Sequence, residues 1–341
     1  EETPQSYLAS IDDENHISFV YNFSENPEIR PFSLVTYQYE ITKESSPGSN
    51  SVSSEEFVFY YEDNRHTWQT INNNTPITIH WYQGDQDFGK ILLNTAMSSL
   101  EKTEEIVPLS IIKPISIYVY PSTTEVQAVI GVSGQTWVAG HSDPDLNLAL
   151  VSIAPGPELL PSAERQIPHE IMHLRLYQHM GDSYINLPNW LNEGLASMAE
   201  LYVNPENVNI LSLALEENSL IPISALCNSI PQDTARANLA YAQSFSFTKY
   251  IFIRYGMQGI QNLLAQYESG ASCESGIQNS FGRSLNQLDQ QWQQSSFGNN
   301  TAQLALNNFL PWFMLMLIIL GVPIVTTVAN NRISSKFQEK E

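Results

Sequence analysis

The chain has 341 residues, and its 36 acidic and 15 basic side chains give a formal net charge of −21 at pH 7. A surface this acidic is repelled by nucleic acid and by anionic lipid, which argues against a nucleic-acid-binding function. The length allows a full-sized core and more than one domain, at roughly 100–200 residues per domain.

Residues 1–66 carry the short β-type runs HISFVYNF, FSLVTYQYEI and EEFVFYYED, separated by turn signals and by the loop KESSPGSNSVSS. Runs rich in β-branched and aromatic residues, bounded by Gly, Pro, Asn and Ser, are typical of strands joined by turns. We therefore predict a small antiparallel β module. It lacks clusters of catalytic residue types, so its expected role is structural or partner-binding.

Residues 67–294 are predicted to form an α+β domain. ITIHWY (77–82), ISIYVY (115–120) and LNLALVSIAP (146–155) have the composition of strands, and FGKILLNTAMSSLEKTEEI has apolar residues at helical spacing. From there to about Phe297 the pattern is almost wholly helical. Strands with one helix, followed by a helical half, indicate an α+β fold.

The helical half opens with the sequence HEIMH, which contains His169, Glu170 and His173. Residues four apart share one face of a helix, so the two imidazoles are able to bind one tetrahedral Zn²⁺. Glu170 projects beside the metal and is placed to hold and deprotonate a zinc-activated water. Pro168 directly precedes the motif, so the helix either kinks there or begins there.

A third zinc ligand is required, and His179 is one candidate. It follows His173 by the spacing of the metzincin pattern H-E-x-x-H-x-x-G-x-x-H, in which a glycine lets the chain turn back to the metal. Leu176 occupies the glycine position here. In an unbroken helix six residues rotate a side chain by about 240° net, away from the zinc. We therefore expect His179 to be a helix-end histidine and not a ligand.

Glu193, in LPNWLNEGLASMAELY (187–202), is the other candidate. Pro188 and Asn189 make a plausible helix start, so the pattern predicts a second helix that returns after a loop. Such a return brings the carboxylate of Glu193 to the open side of the histidine pair. Two histidines, one glutamate and one open position form a catalytic zinc set.

These segments resemble a known group of enzymes. HEIMH followed by WLNEGLASMAE resembles the gluzincin clan of zinc peptidases, and WLNEGLA is similar to the second zinc-binding segment of aminopeptidase N-type enzymes. YAQSFSFTKYIFIRYG (241–256) resembles the helix of those enzymes that opens with a catalytic tyrosine. The resemblance implies that Tyr241 donates a hydrogen bond to the oxyanion. From about Trp68 to Trp292 the chain resembles the bacterial peptidase MA-like proteins, which are exported or membrane-anchored.

The sequence also departs from these families. The G-x-M-E-N strand that holds the free amine of an aminopeptidase substrate is absent, and LNLALVSIAP stands in its place as an edge strand able to pair with an extended peptide. A metalloendopeptidase is therefore favoured over an aminopeptidase. Ser197 replaces the aspartate that braces a zinc histidine in thermolysin-type members, which leaves Glu200 as a substitute. His141 either lines the cleft or lies in a solvated loop.

The C-terminal run FLPWFMLMLIILGVPIVTTVA (309–329) carries no charge and is long enough for a single transmembrane helix. A polar linker, 295–308, precedes it. The tail, 330–341, holds basic residues that favour the cytoplasmic side, so we expect the bulk of the chain to lie outside the cell membrane. This topology implies that a signal peptide was removed before Glu1.

The chain has two cysteines, Cys227 and Cys273. They do not have the spacing of a zinc motif. In an exported protein such a pair is expected to form one disulfide, whereas an intracellular enzyme would keep free thiols.

The sequence therefore predicts a membrane-anchored, extracytoplasmic zinc metallopeptidase acting on a peptide or protein. The predicted zinc ligands are His169, His173 and Glu193, with Glu170 as general base and Tyr241 as oxyanion donor. The alternative is a membrane-tethered binding or assembly subunit that keeps the gluzincin fold without turnover, with residues 1–66 as its working surface. A soluble protein with a buried apolar C-terminus is a third possibility.

Overall fold

A computed structural model describes six ranges of the chain, 5–22, 29–42, 51–109, 111–131, 140–298 and 309–320. Most of the predicted linker, the second part of the predicted transmembrane helix and the whole predicted tail lie outside these ranges.

The N-terminal region is built from short antiparallel strand pairs, as predicted. Its strands are β1 (Ser10–Ile11), β2 (Ile17–Ser18), β3 (Ser33–Tyr37), β4 (Glu40–Thr42), β5 (Ser51–Ser53) and β6 (Phe57–Tyr61). They pair as β1 with β2, β3 with β6, and β4 with β5. Of the described apolar side chains in this region, those of Phe32 and Tyr61 are buried.

A five-stranded sheet forms the centre of the next region. In chain order its elements are β7 (Gln69–Ile71), β8 (Ile77–Trp81), helix α1 (Gln86–Ile106), β9 (Ile115–Tyr120), helix α2 (Thr123–Ile130), β10 (Gly140–Asp143) and β11 (Leu148–Ser152). The strand order is β10-β11-β9-β8-β7, with β8, β9 and β11 parallel and the two outer strands antiparallel to them. The predicted strands at 77–82 and 115–120 are therefore confirmed.

The strand predicted at 146–155 forms as β11, but it is not the edge of the sheet. It lies between β9 and β10, so β10 is the edge strand in the described sheet. The polar sequence of β10, GHSD, is poor in strand-forming residues, and pairing with β11 decides its conformation.

The two faces of the sheet are covered differently. Apolar side chains such as Ile79 and Ile117 point to one face, where they pack against the helical half. Tyr118 and Tyr120 point to the other face, because successive residues of a strand alternate. Phe32 packs there on Tyr118, with ring centroids 4.5 Å apart. Phe32 of the N-terminal region and the buried side chains of α2 thus cover this second face together.

The helical half confirms the predicted all-helical pattern after β11. Its helices are α3 (Leu159–Met180), α4 (Asn189–Ala199), α5 (Glu206–Glu216), α6 (Thr234–Glu268) and α7 (Cys273–Phe281), followed by helical residues 285–298. Helix α6 bends at Gly256, where φ is 67°. Helix α3 neither begins nor stops at Pro168 but continues through it.

Cys227 and Cys273 form a disulfide with a Cα–Cα distance of 6.0 Å. It joins the segment after α5 to the start of α7, and the indole nitrogen of Trp190 donates a hydrogen bond to the sulfur of Cys273 at 3.4 Å. The expected pairing of the two cysteines is therefore confirmed.

Residues 309–320 of the predicted transmembrane segment are helical, with exposed side chains. Within the described ranges, no helix has the length and apolar character needed to cross a membrane. Residues 321–329 of the prediction lie outside those ranges.

Candidate metal centre

Helix α3 carries His169, Glu170 and His173, and side-chain hydrogen bonds fix it against the sheet. The Gln166 amide accepts from the backbone N–H of Ser152 at 2.9 Å and donates to the carbonyl of the same residue at 2.8 Å. This reproduces the hydrogen bonding of a neighbouring strand at the end of β11. The face of α3 that carries the two histidines is therefore held in a fixed orientation.

Helix α4 brings Glu193 to the two histidines, as the helix–turn–helix pattern predicts. Glu193 Oε2 lies 3.4 Å from His169 Nε2 and 3.6 Å from His173 Nε2. These separations exceed ordinary hydrogen-bond distances. Ligand atoms bound at 2.0–2.1 Å to one tetrahedral zinc lie about 3.3 Å apart, so the three side chains fit a zinc ion.

Burial of Glu193 supports the same interpretation. Its Oε2 is buried and has no hydrogen-bond partner among the described residues. A buried carboxylate oxygen without a partner is costly, and a cation relieves that cost. His169, His173 and Glu193 form the one group in the described ranges whose ligand atoms converge for metal binding.

Each histidine is oriented by a hydrogen bond at its other ring nitrogen. Glu200 Oε1 lies 3.1 Å from Nδ1 of His169, the role that the sequence suggests for it. Asn192 Oδ1 lies 3.0 Å from Nδ1 of His173. Tyr184 in turn exchanges hydrogen bonds with Asn192. These contacts leave both Nε2 atoms facing Glu193, as metal ligation needs.

Sequence reasoning missed Asn192, although it directly precedes Glu193 in WLNEGLA. Asn192 and Glu193 are neighbours on α4, and the side chains of both lie next to His173. The motif resemblance points to Glu193 alone, because the contact of Asn192 with His173 depends on how α4 packs against α3.

The carboxylates around the histidines control the proton balance of the centre. Burial lowers the pKa of His169, but Glu193 and Glu200 outweigh burial and raise it well above its usual value. Burial also lowers the pKa of His173, and the charge of Glu193 raises it overall. Burial raises the pKa of Glu193, yet the two histidines hold that pKa far below its usual value. The metal-free centre therefore holds protons that zinc must displace.

Glu170 lies beside the edge strand of the sheet. A Cβ placed on Gly140, the first residue of β10, would be 2.5 Å from Glu170 Oε1. The glycine thus leaves room for the carboxylate of Glu170, whose side chain is buried.

Tyr241 lies in the first turns of α6, and its ring centroid is 6.4 Å from that of His169. Burial, together with the charges of Glu193 and Glu170, raises the pKa of Tyr241 far above its usual value. Its hydroxyl is therefore protonated at neutral pH and able to donate a hydrogen bond.

Close packing of α4 on α6 sets the distance between Glu193 and Tyr241. Gly194 directly follows the glutamate and faces α6, where an added Cβ would lie 2.5 Å from the backbone oxygen of Ser244 and would overlap Thr248 Oγ1. Only a residue without a Cβ allows this approach of the two helices.

The remaining candidate residues are not part of the converging ligand group in the described ranges. His179 is in the last turn of α3, which runs unbroken past Leu176, as expected for a helix-end histidine. Ser197 is buried within α4. His141 is an exposed residue of β10, so it belongs to a strand and not to a loop.

The sequence of the helical half and part of the sheet matches a family model. The model is described as Peptidase MA superfamily, and it matches residues 95–298, more than half of the chain. The chain belongs to the Peptidase MA superfamily. This confirms the resemblance found in HEIMH and WLNEGLA. No curated protein matches this member of the superfamily.

Solved structures similar to this superfamily member include an M1 zinc metallopeptidase from Deinococcus radiodurans and its glutamate-to-alanine variant. Both are 13% identical with a TM-score of 0.34, and they cover 77% of this chain and 61% or 62% of theirs. The variant bound to a Tyr-Ser-Ala substrate is 14% identical, with a TM-score of 0.31. The chain therefore spans less than two thirds of these proteins, and the likeness is too distant to assign a function.

Proposed function

We propose that this chain is a zinc metallopeptidase that hydrolyses peptide bonds. The supporting observation is the buried Glu193 Oε2, which has no hydrogen-bond partner among the described residues and faces His169 Nε2 and His173 Nε2 at 3.4 and 3.6 Å. Zinc, when bound, polarises a carbonyl and lowers the pKa of water. Both effects serve attack of water on an amide.

Glu170 is the general base in this proposal. It takes a proton from water as the water oxygen bonds to the peptide carbonyl carbon, and it then delivers that proton to the amine as the C–N bond breaks. Tyr241, protonated at neutral pH, donates a hydrogen bond to the carbonyl oxygen as negative charge develops there.

The substrate is proposed to be an extended segment of peptide that adds to the edge of β10 that pairs with no other strand in the described ranges. This strand starts beside Glu170, so a bound backbone would be presented to the base. The sequence lacks the G-x-M-E-N segment that holds a free amine. We therefore propose cleavage within peptides in preference to removal of single N-terminal residues.

Attachment of the protein to the cell membrane through residues 309–329, with the bulk outside the cytoplasm, remains part of the proposal. The charge-free sequence of this segment and the disulfide Cys227–Cys273 support it. Protease added to intact cells should degrade the bulk of the chain. Protection from that protease would contradict the proposed orientation.

The experiment compares metal content and cleavage of a peptide library for the full chain and Glu170→Gln. Zinc near one ion per chain in both, with cleavage reduced by about 10²–10⁴-fold in the variant, is the expected result. Glu158→Gln is the matched control, because Glu158 is exposed at the start of the same helix. Zinc without cleavage in every protein would favour the idle binding subunit, and absence of zinc would refute the centre itself.

A further inference from the structure

A proline lies inside the zinc-binding helix, one residue before the first ligand. Pro168 is buried in the middle of α3 and has no backbone N–H to donate. In an uninterrupted helix that N–H would bind the carbonyl oxygen of Glu164, four residues earlier. Proline therefore leaves the Glu164 oxygen free for another donor.

The free oxygen is used by the chain that leaves α4. The backbone N–H of Leu201 donates to Glu164 O at 2.8 Å, and that of Tyr202 lies 3.4 Å from the same atom. Helix α4 ends at Ala199, and Glu200 has the extended angles φ −54° and ψ 133°. The hydrogen bonds from Leu201 and Tyr202 therefore fix the backbone directly after Glu200.

Glu200 is the residue that orients the first zinc ligand. Its Oε1 lies 3.1 Å from His169 Nδ1, and its side chain is 10% exposed. Two links thus join α3 to the exit of α4: one through the Glu164 carbonyl and one through the Glu200 carboxylate. They enclose Pro168 and His169 between them.

We propose that Pro168 is a positioning residue for the zinc centre. By freeing the Glu164 carbonyl, it holds the 200–202 segment against α3 and so keeps the Glu200 carboxylate on His169. This inference rests on the proposed function in that His169 is taken to bind zinc. A helix-breaking residue is otherwise unfavourable at this position, where any residue with an N–H would complete the helix.

Pro168→Ala tests the proposal, and Pro161→Ala is its matched control. Pro161 lies in the first turn of α3, where a backbone N–H has no helical partner, so its replacement frees no donor for Glu164. In the full chain, measured by chelator competition, Pro168→Ala is expected to weaken zinc binding by about 10–100-fold, as for other lost ligand-orienting contacts. The Leu201 amide should exchange with solvent faster, while thermal stability is unchanged or higher.

Pro161→Ala should bind zinc and protect the Leu201 amide as the unsubstituted protein does. A merely structural role for Pro168 would alter thermal stability without altering zinc affinity relative to the control. That result would overturn the proposal.

A double-mutant cycle identifies the residue through which Pro168 acts. In a Glu200→Ala background, Pro168→Ala should weaken zinc binding no further, because the contact that it supports is already lost. A full additional effect in that background would also overturn the proposal. If the unsubstituted chain binds no zinc, the proposed function fails. Amide exchange of Leu201 in Pro168→Ala still tests the backbone link: faster exchange shows that Pro168 supports the link, and unchanged exchange shows that it does not.

Discussion

Replacing Gly194 by alanine tests whether the contact between α4 and α6 sets the geometry of the centre. The added Cβ would lie 2.5 Å from the Ser244 carbonyl oxygen, a backbone atom that no side-chain rotation can move away. Restoring an ordinary contact of about 3.5 Å requires the helices to separate by about 1 Å. Overpacking of this kind costs about 1–3 kcal/mol. The higher helix propensity of alanine offsets about 1 kcal/mol of it.

The net loss of stability is therefore small, about 0–2 kcal/mol, and the protein should remain folded. The effect on the site is larger, because Glu193 and Tyr241 lie on the two helices that separate. A displacement of about 1 Å can reduce catalysis by about 100-fold, which corresponds to about 2.7 kcal/mol in the activation barrier. We thus expect activity to fall further than stability predicts.

Thermal unfolding, zinc affinity and kcat/KM for a cleaved peptide should be measured on Gly194→Ala in parallel with Gly298→Ala. Gly298 is a suitable control because it is helical and a Cβ there meets no atom of the described residues nearer than 3.8 Å. The control should keep full activity. If Gly194→Ala is folded and retains kcat/KM within about twofold, the reasoning from helix separation is wrong.

Further predictions concern protons, the oxyanion and the disulfide. Because zinc must displace protons from His169 and His173, whose pKa values are raised, zinc affinity should fall as pH decreases, which titration with a chelator at several pH values checks. Without metal, the raised pKa values of the two histidines stabilise the folded protein at pH values below about 6.5, the pKa of histidine in the unfolded chain. This stability is lost as pH rises through the raised pKa values of the folded state, so a gain in stability of the metal-free protein over that pH range would contradict the prediction. Tyr241→Phe should lower kcat by about 10²–10³-fold while zinc affinity is unchanged, and equal losses in both would indicate a structural role. Replacing Cys227 and Cys273 by serine should reduce the free energy of unfolding by about 4 kcal/mol in the loop-entropy model, measured by denaturant titration, and an unchanged midpoint would refute that contribution.

The convergence of His169, His173 and Glu193 could be predicted from the sequence because helical spacing is a local property. Residues 169 and 173 share a helix face whatever surrounds them, and the turn before α4 limits where Glu193 is able to lie. The contact of Asn192 with His173 depends on how α4 rotates against α3. That rotation is set by packing against distant parts of the chain, such as Phe247 of α6, whose ring lies 4.9 Å from that of Trp190 on α4, so local patterns do not contain it.

Three further features of the fold are missing from the sequence-based predictions, and two of them, β10 and the course of α3 through Pro168, depend on contacts with distant segments. The edge strand β10 consists of Gly, His, Ser and Asp, and its conformation comes from pairing with β11. Helix α2 was not predicted, although Ser122 caps it and Gly131 ends it in the left-handed conformation. Helix α3 passes through Pro168 because packing of its buried face outweighs the local preference to stop.

Phe32 and Trp68, which pack on Tyr118 of the sheet, limit how far the chain can be truncated from its N-terminal side. The family match begins at residue 95, within α1, and leaves β8 outside it. A protein shortened to the matched region would lack an inner strand of the sheet and the aromatic rings that cover Tyr118. The smallest unit that folds alone is thus expected to be larger than the region that matches the superfamily. Removal of the N-terminal segment would expose the apolar face of the sheet that Phe32 covers.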